Sequence, residues 1–140
     1  MHKFALQTID AVRGTQTFEK LLVDGVAPLD TFENGLEDQN RKSLVKIYAY
    51  MNDVANNLLL PKTKFRDVTP QKERVKEYEF KDGNLRVYAI SKPGGKIIIL
   101  GGCKNRQKKD FRTFRSLKAQ YLKQESLIII RNEKGRTIKL

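Results

Sequence analysis

Positively charged side chains in the second half of the chain have the types and the spacing that phosphate chemistry requires. Arg86 and Tyr88 stand two positions apart, so on a strand both side chains project from the same face. Lys81 precedes a turn signal at 82–84 and is expected to lie across a hairpin from Arg86. A run of cations follows shortly afterwards: Lys104, Arg106, Lys108 and Lys109. Together these residues predict a concave basic surface that can hold phosphates and stabilise a pentacoordinate phosphorus transition state.

The residue types that the chain lacks narrow the chemistry further. His2 is the single histidine, which excludes a histidine acid–base pair. The sequence contains no carboxylate cluster suited to two magnesium ions, no Walker loop and no GxGxxG motif. A nuclease built from these residues is expected to need no metal and no cofactor, and to use the 2′-hydroxyl of RNA as its nucleophile. Tyr88 or a lysine would be the base, because neighbouring cations favour a deprotonated form.

The candidate residues divide into two groups. The predicted catalytic residues are Arg86, Tyr88, Lys104, Arg106 and Lys108. The predicted RNA-binding residues are Lys81, Lys109, Arg112 and Arg115. Structural interpretations stay open beside these: Arg86 could pair with Glu79, Tyr88 could be a half-buried strand aromatic, and 104–109 could be a solvated loop. Cys103 is interpreted as an unreactive thiol at a strand end.

The charge of the chain is strongly asymmetric. The 140 residues carry 28 Lys+Arg and 16 Asp+Glu, a formal net charge of +12 at pH 7. Residues 1–60 have a net charge of −2, whereas residues 61–140 have a net charge of +14. Such a concentration of positive charge favours a polyanionic partner. The single cysteine, the absence of a long apolar stretch and the absence of a secretion signal predict one cytoplasmic domain over 1–140 with no membrane partner.

The hydrophobic patterns predict an α+β fold. Residues 3–9 alternate as in a strand, and Thr17 is expected to cap a short helix through Phe18, Leu21 and Leu22 that stops at Gly25. Pro28 is expected to prevent continuation of that helix. A long helix is predicted from Gln39 to Leu60, where apolar residues recur at helical spacing before Pro61.

The second half of the chain has the period of strands, then that of a helix. Three strands at 75–81, 85–90 and 96–101 are expected to form an antiparallel meander against which the long helix packs. The third strand is apolar throughout at 97–100, which predicts burial on both faces. A helix is predicted over 108–123, with Lys108, Arg112 and Arg115 on one face. Two strand-like pieces at 127–131 and 136–140 predict a possible extra hairpin in the tail from 125 to 140.

Four segments of the meander and the following basic run resemble a known protein family. They are Tyr78-Glu79-Phe80-Lys81, Leu85-Arg86-Val87-Tyr88, Ile97-Ile98-Ile99-Leu100 and Lys104-Asn105-Arg106-Gln107-Lys108-Lys109. This order is similar to the RelE/ParE toxin superfamily, and most similar to its HigB-like, phage-derived branch of type II toxin–antitoxin systems. The resemblance covers about residues 15–122 and is specific over 78–109. It implies a RelE-like fold, with the N-terminal helices packed on the meander.

The resemblance also implies an activity and partners. Members of this kind are endoribonucleases that cleave mRNA in the ribosomal A site, where contacts with rRNA are expected, and a cognate antitoxin protein neutralises them. By position, Arg86 would contact the scissile phosphate, and Lys104, Arg106 and Lys108 would be the loop cations. Lys81 stands where the family often has arginine. Two other interpretations stay open: a ParE-like gyrase poison without catalysis of its own, and a non-catalytic basic RNA-binding module.

Overall fold

A computed structural model describes residues 2–125, 129–131 and 137–139, and the fold of these residues is α+β. The strands are β1 (Phe4–Thr8), β2 (Thr17–Val23), β3 (Phe65–Asp67), β4 (Glu77–Asp82), β5 (Leu85–Lys92), β6 (Gly95–Cys103), β7 (Ile129–Arg131) and β8 (Thr137–Lys139). The helices are α1 (Pro28–Asn34), α2 (Asp38–Ala55) and α3 (Gln107–Gln124), and a short 3₁₀ turn spans Lys104–Arg106. None of the helices in this part of the chain is both long and apolar enough to cross a membrane.

The strands form one mixed sheet with the order β3-β4-β5-β6-β2-β1-β7-β8. The predicted meander is confirmed, because β4, β5 and β6 pair antiparallel in sequence. The sheet is nevertheless larger than a meander, since β2 pairs parallel with β6 and β1 pairs parallel with β7. Strands β7 and β8 pair antiparallel, as predicted for the tail. The rest of the predicted tail hairpin, at 126–128, 132–136 and 140, lies outside the described residues.

Two tight turns set the register of the meander. Gly83 has a φ of +53° between β4 and β5, and Gly94 has a φ of +77° between β5 and β6. Both values lie in the left-handed region, where a residue without a Cβ atom is favoured. The following Gly95 is needed for another reason, because a Cβ there would lie 1.8 Å from the carbonyl oxygen of Thr17 on β2. This close approach allows the parallel pairing of β6 with β2.

The predicted helix from Thr17 to Gly25 is wrong, because this segment is strand β2. Its apolar residues at 18, 21 and 22 fit a helical period, but they equally fit a strand that is buried on both faces. Phe18 packs on one side of the sheet and Leu21 on the other. Pairing with β1 and with β6 therefore overrides the local pattern, and the first helix begins at Pro28 instead.

The other helix predictions are confirmed with corrected ends. Helix α2 begins near the predicted residue but ends at Ala55 rather than Leu60. Asn57 has a left-handed φ of 63°, which stops the helix, and Leu59 is almost fully exposed. Helix α3 matches the predicted 108–123 segment within one residue at each end.

The helices cover the two faces of the sheet separately. On one face, α1 and α2 pack with Leu29, Ile47 and Met51 against sheet residues such as Phe80 and Val87. On the other face, α3 packs against the sheet and forms a second core. Its members include Phe114, Leu117 and Tyr121 of α3 and Tyr88, Ile90 and Ile99 of the sheet. As predicted, the apolar centre of β6 is buried on both faces, with Ile97, Ile98 and Ile99 at most 1% exposed.

Candidate functional site

Strand register gathers three of the predicted site residues at one end of the sheet. Lys81 on β4 is directly opposite Arg86 on β5, which confirms the predicted placement across the hairpin. Arg86 is in turn opposite Gly102 on β6. The backbone N–H of Lys104 donates to the carbonyl oxygen of Asn84 at 2.8 Å, which ties the 3₁₀ turn to the hairpin tip. We call Lys81, Arg86 and Lys104 the cationic end of the sheet.

The guanidinium of Arg86 is held by the turn beside it. Its Nη1 atom donates to the carbonyl oxygens of Gly83 at 2.9 Å and Leu85 at 2.7 Å. Because a guanidinium carries five N–H donors, these two bonds orient the group without consuming all of its donors. The alternative ion pair with Glu79 is not the arrangement in the structure. Glu79 instead accepts from Nε of Arg66 at 2.8 Å and from the side-chain amide of Gln107.

The other predicted cations lie on the 3₁₀ turn and on α3. Lys104, Arg106, Lys108, Lys109 and Arg112 are exposed. The segment 104–109 is helical rather than an open loop, because its first three residues form the 3₁₀ turn and the others begin α3. Arg115 is placed differently, because its Nε donates to the buried carboxylate of Glu77 at 3.0 Å and its guanidinium lies 4.6 Å from the centre of the Phe111 ring.

Tyr88 lies in the core rather than on a surface. Its side chain is 0% exposed and packs against the rings of Phe111 and Phe114. Burial raises the pKa of the phenol far above its ordinary value, the charges of Glu79 and Asp110 add to this shift, and Arg86 opposes it more weakly. The prediction that neighbouring cations lower this pKa is wrong, because desolvation dominates. A phenol that stays protonated at neutral pH is not a suitable base.

Replacement of Tyr88 by phenylalanine tests this conclusion. The hydroxyl is buried and makes no hydrogen bond within the described residues, although Gln107 lies beside it. We expect Tyr88→Phe to leave any RNA cleavage unchanged within about twofold and to alter the free energy of unfolding by about 1 kcal/mol or less, because the change removes an unpaired polar group. Urea denaturation and cleavage rates are the measurements. A loss of cleavage by a folded Tyr88→Phe variant would restore the hydroxyl to the mechanism.

A buried ion network fixes α3 on the sheet at the start of β4, which is the end of that strand away from Lys81. Glu77 is 0% exposed and accepts from Arg115 and, at 2.8 Å, from Nζ of Lys118. Lys118 is 3% exposed and also donates to the carbonyl oxygen of Val75 at 2.8 Å. Glu77 is not among the site residues predicted from the sequence. One feature of the sequence does point to it: Glu77 and Glu79 alternate with aromatic residues along β4. In a strand this alternation places both carboxylates on the same face.

Asp110 is a second carboxylate that the sequence analysis missed. Its Oδ2 atom is buried and has no hydrogen-bond partner within the described residues. Burial raises the pKa of this carboxyl group, and the charges of Arg106 and Lys109 oppose the shift. A Cβ on Gly102 would lie 1.9 Å from Oδ2, so the glycine leaves the space that the carboxylate occupies. The signal in the sequence was that Asp110 is the single acid between residues 104 and 115.

Asp110 and Arg106 both line a cavity of about 620 Å³ between α1, the end of β6 and the start of α3. Cys103, a free thiol, lies on the same wall. In the described part of the chain, no three His, Cys, Asp or Glu side chains converge as a group that could hold a metal ion. The site as described is therefore a set of exposed cations beside a partly apolar cavity with one carboxylate.

Comparison of the chain with protein-family models, with curated proteins and with solved structures finds no match.

Proposed function

We propose that this protein is the toxin of a type II toxin–antitoxin system, a metal-independent, ribosome-dependent endoribonuclease that cleaves mRNA through the 2′-hydroxyl of the RNA. The observation that carries the proposal is the cationic end of the sheet, where strand register brings Lys81, Arg86 and Lys104 together. The general α+β fold, with two helices followed by an antiparallel meander and a basic segment, is compatible with the proposal, but the specific RelE-like arrangement is not reproduced, because β1 and β2 precede the helices and extend the sheet. We propose that the protein acts in the cytoplasm.

Each cation then has a role in phosphoryl chemistry. Arg86, oriented by two backbone carbonyls, contacts the scissile phosphate, and Arg106 with Lys108 stabilises the charge of the transition state. Because Tyr88 is buried and stays protonated, it is not the base; Lys104, the lysine tied to the hairpin tip, can donate a proton from Nζ to the leaving 5′-oxygen. Lys81, Lys109 and Arg112 bind flanking phosphates. Arg115 has its main partner in Glu77 and presents only part of its guanidinium to RNA.

The partners follow from the same charge distribution. The net charge of +14 in residues 61–140 suits mRNA and rRNA in the ribosome. Neutralisation would require a cognate antitoxin protein whose acidic segment covers the exposed cations of the 3₁₀ turn and α3.

A second candidate function is a non-catalytic basic RNA-binding module. The burial of Tyr88 favours it, because this burial removes one of the two residue types that could act as a base. Such a module would bind single-stranded RNA through the same cations and would leave messages intact.

The test is induction of the protein in bacteria, followed by primer-extension mapping of one reporter message. The matched control is the same message with its start codon inactivated, which removes translation and leaves the rest of the RNA unchanged. We expect growth arrest and cuts that are confined to the translated message. Arrest with intact RNA and altered DNA supercoiling would indicate a gyrase poison instead. Normal growth with a folded product and intact RNA would leave the binding module.

A further inference from the structure

The sheet opens between two parallel strands at their carboxyl ends. Strands β2 and β6 pair over only part of their length, where residues 17–20 of β2 lie opposite residues 95–98 of β6. Beyond this point β2 stays paired with β1 as far as Val23, and β6 stays paired with β5 as far as Cys103. The two strands are therefore held by different neighbours and leave a gap between them. We call this gap, which is the cavity of about 620 Å³ described above, the carboxyl-end cleft.

The chain leaves the two strands on opposite faces of the sheet. Strand β2 leads into α1, which packs on one face with α2, whereas β6 leads through the 3₁₀ turn into α3 on the other face. In open sheets with parallel strands, such a reversal at the carboxyl ends creates a crevice in which ligands bind. The topology of this chain thus places a crevice beside the cationic end of the sheet.

The lining of the carboxyl-end cleft is apolar on one side and polar on the other. Val26, Phe32 and Leu36 form much of the apolar wall, and Asp110 and Arg106 stand on the polar side. Gly101 allows the Phe32 ring to approach β6, because a Cβ there would lie 2.4 Å from the ring. A volume of this size, with an aromatic wall and few polar groups, suits a flat organic ligand.

The polar groups of the cleft select the chemistry of that ligand. Asp110 lines the cleft, and because its Oδ2 atom is buried against Gly102, its Oδ1 atom is the acceptor left for an N–H or O–H donor. Positive charge surrounds the opening, with Arg106 in the wall and the exposed Lys104 and Lys109 nearby. These cations favour a ligand whose part outside the cleft is negatively charged. A nucleobase attached to a phosphodiester chain meets both demands. Guanine presents two adjacent N–H donors on its Watson–Crick edge, so it is the base that forms the best hydrogen bonds to a carboxylate.

We propose that the carboxyl-end cleft binds a guanine base of the RNA, with Asp110 accepting hydrogen bonds from its Watson–Crick edge, the Phe32 side of the cleft covering its face and Arg106 binding the adjoining phosphate. The identification of the ligand as RNA rests on the proposed function. The cleft would then determine which base is preferred, and the cationic end of the sheet would cleave the RNA.

The experiment measures nucleotide binding without cleavage, so that the two proposals can fail separately. The isolated full chain is titrated with 5′-GMP, AMP, CMP and UMP while backbone amide shifts are followed by NMR. We expect GMP to bind most tightly, with the largest shifts at Phe32, Gly101 and Asp110. Asp110→Asn should weaken GMP about tenfold or more and leave UMP unchanged, because hydrogen bonds to a charged acceptor are lost. Asp38→Asn, on the exposed start of α2, removes the same charge as a matched control.

A second measurement uses the only thiol. Cys103 lines the cleft, so bound GMP should slow its reaction with a thiol reagent in the wild-type protein, and much less in Asp110→Asn. Equal binding of the four nucleotides, or shifts confined to the exposed cations with no protection of Cys103, would overturn the cleft proposal even if the protein cleaves mRNA. Specific GMP binding by a protein that cuts no message would support the cleft and refute the nuclease.

Discussion

Replacement of Arg86 by alanine is expected to abolish growth arrest and to lower the rate of mRNA cleavage by about 10² to 10³, the usual effect of removing a group that stabilises transition-state charge. Among the residues that the structure describes, the guanidinium bonds to backbone carbonyls of its own turn, at Gly83 and Leu85, and to no buried acid. The fold should therefore tolerate its loss. Primer extension on a translated reporter measures the cleavage, and circular dichroism measures the fold.

Two further variants sharpen this prediction. Arg86→Lys keeps the charge but loses the planar set of donors, so we expect it to recover only a small part of the activity. Arg41→Ala removes an equally long cation from the exposed start of α2, on the other face of the sheet, and should leave cleavage unchanged. An unfolded Arg86→Ala variant would show that the residue is structural. Full activity in a folded one would exclude Arg86 from the chemistry.

Replacement of Glu77 by glutamine is expected to lower the free energy of unfolding by about 3–5 kcal/mol, because it leaves the buried charge of Lys118 without its partner. Lys118 is only 3% exposed, and its Nζ lies 2.8 Å from Oε2 of Glu77. Arg115 would lose its partner as well, but its side chain is 40% exposed and can turn to water. Urea denaturation at neutral pH measures the effect.

The matched control is Glu73→Gln, which removes the other carboxylate near Lys118. This pair is separated by 3.7 Å and the Glu73 side chain is 50% exposed, so the loss should stay below about 1 kcal/mol. Similar effects of the two substitutions would mean that the buried network contributes little.

Local patterns in the sequence were sufficient for most of the elements. The alternation along 75–90, broken at Asp82-Gly83-Asn84, predicted the β4–β5 hairpin, and the apolar run at 97–100 predicted a strand buried on both faces. The stripe of apolar residues at helical spacing from Leu44 to Leu58 predicted α2, although Leu58 lies beyond the end of the helix at Ala55. These features depend on periodicity and turn chemistry, which are properties of neighbouring residues. The opposition of Lys81 and Arg86 followed from them, because a tight turn determines register.

Features that depend on distant residues could not be obtained in this way. Strand β2 was predicted as a helix because the spacing of its apolar residues does not reveal that it pairs with β1 and β6. The burial of Tyr88 required knowledge that α3 packs over that face of the sheet. A pKa depends on desolvation and on charges brought from elsewhere in the chain, so the cations adjacent in sequence were a poor guide to it.

The sequence by itself therefore determined the α+β class, the antiparallel meander, the two long helices and the concentration of positive charge in residues 61–140. The tertiary structure was needed for three further facts: the parallel pairing that opens the carboxyl-end cleft, the pairing of Glu77 with Lys118, and the unpaired acceptor on Asp110. The physical reason is the same in each case. Charge and periodicity are summed along the chain, whereas burial and the choice of partner depend on which surfaces meet when the chain folds.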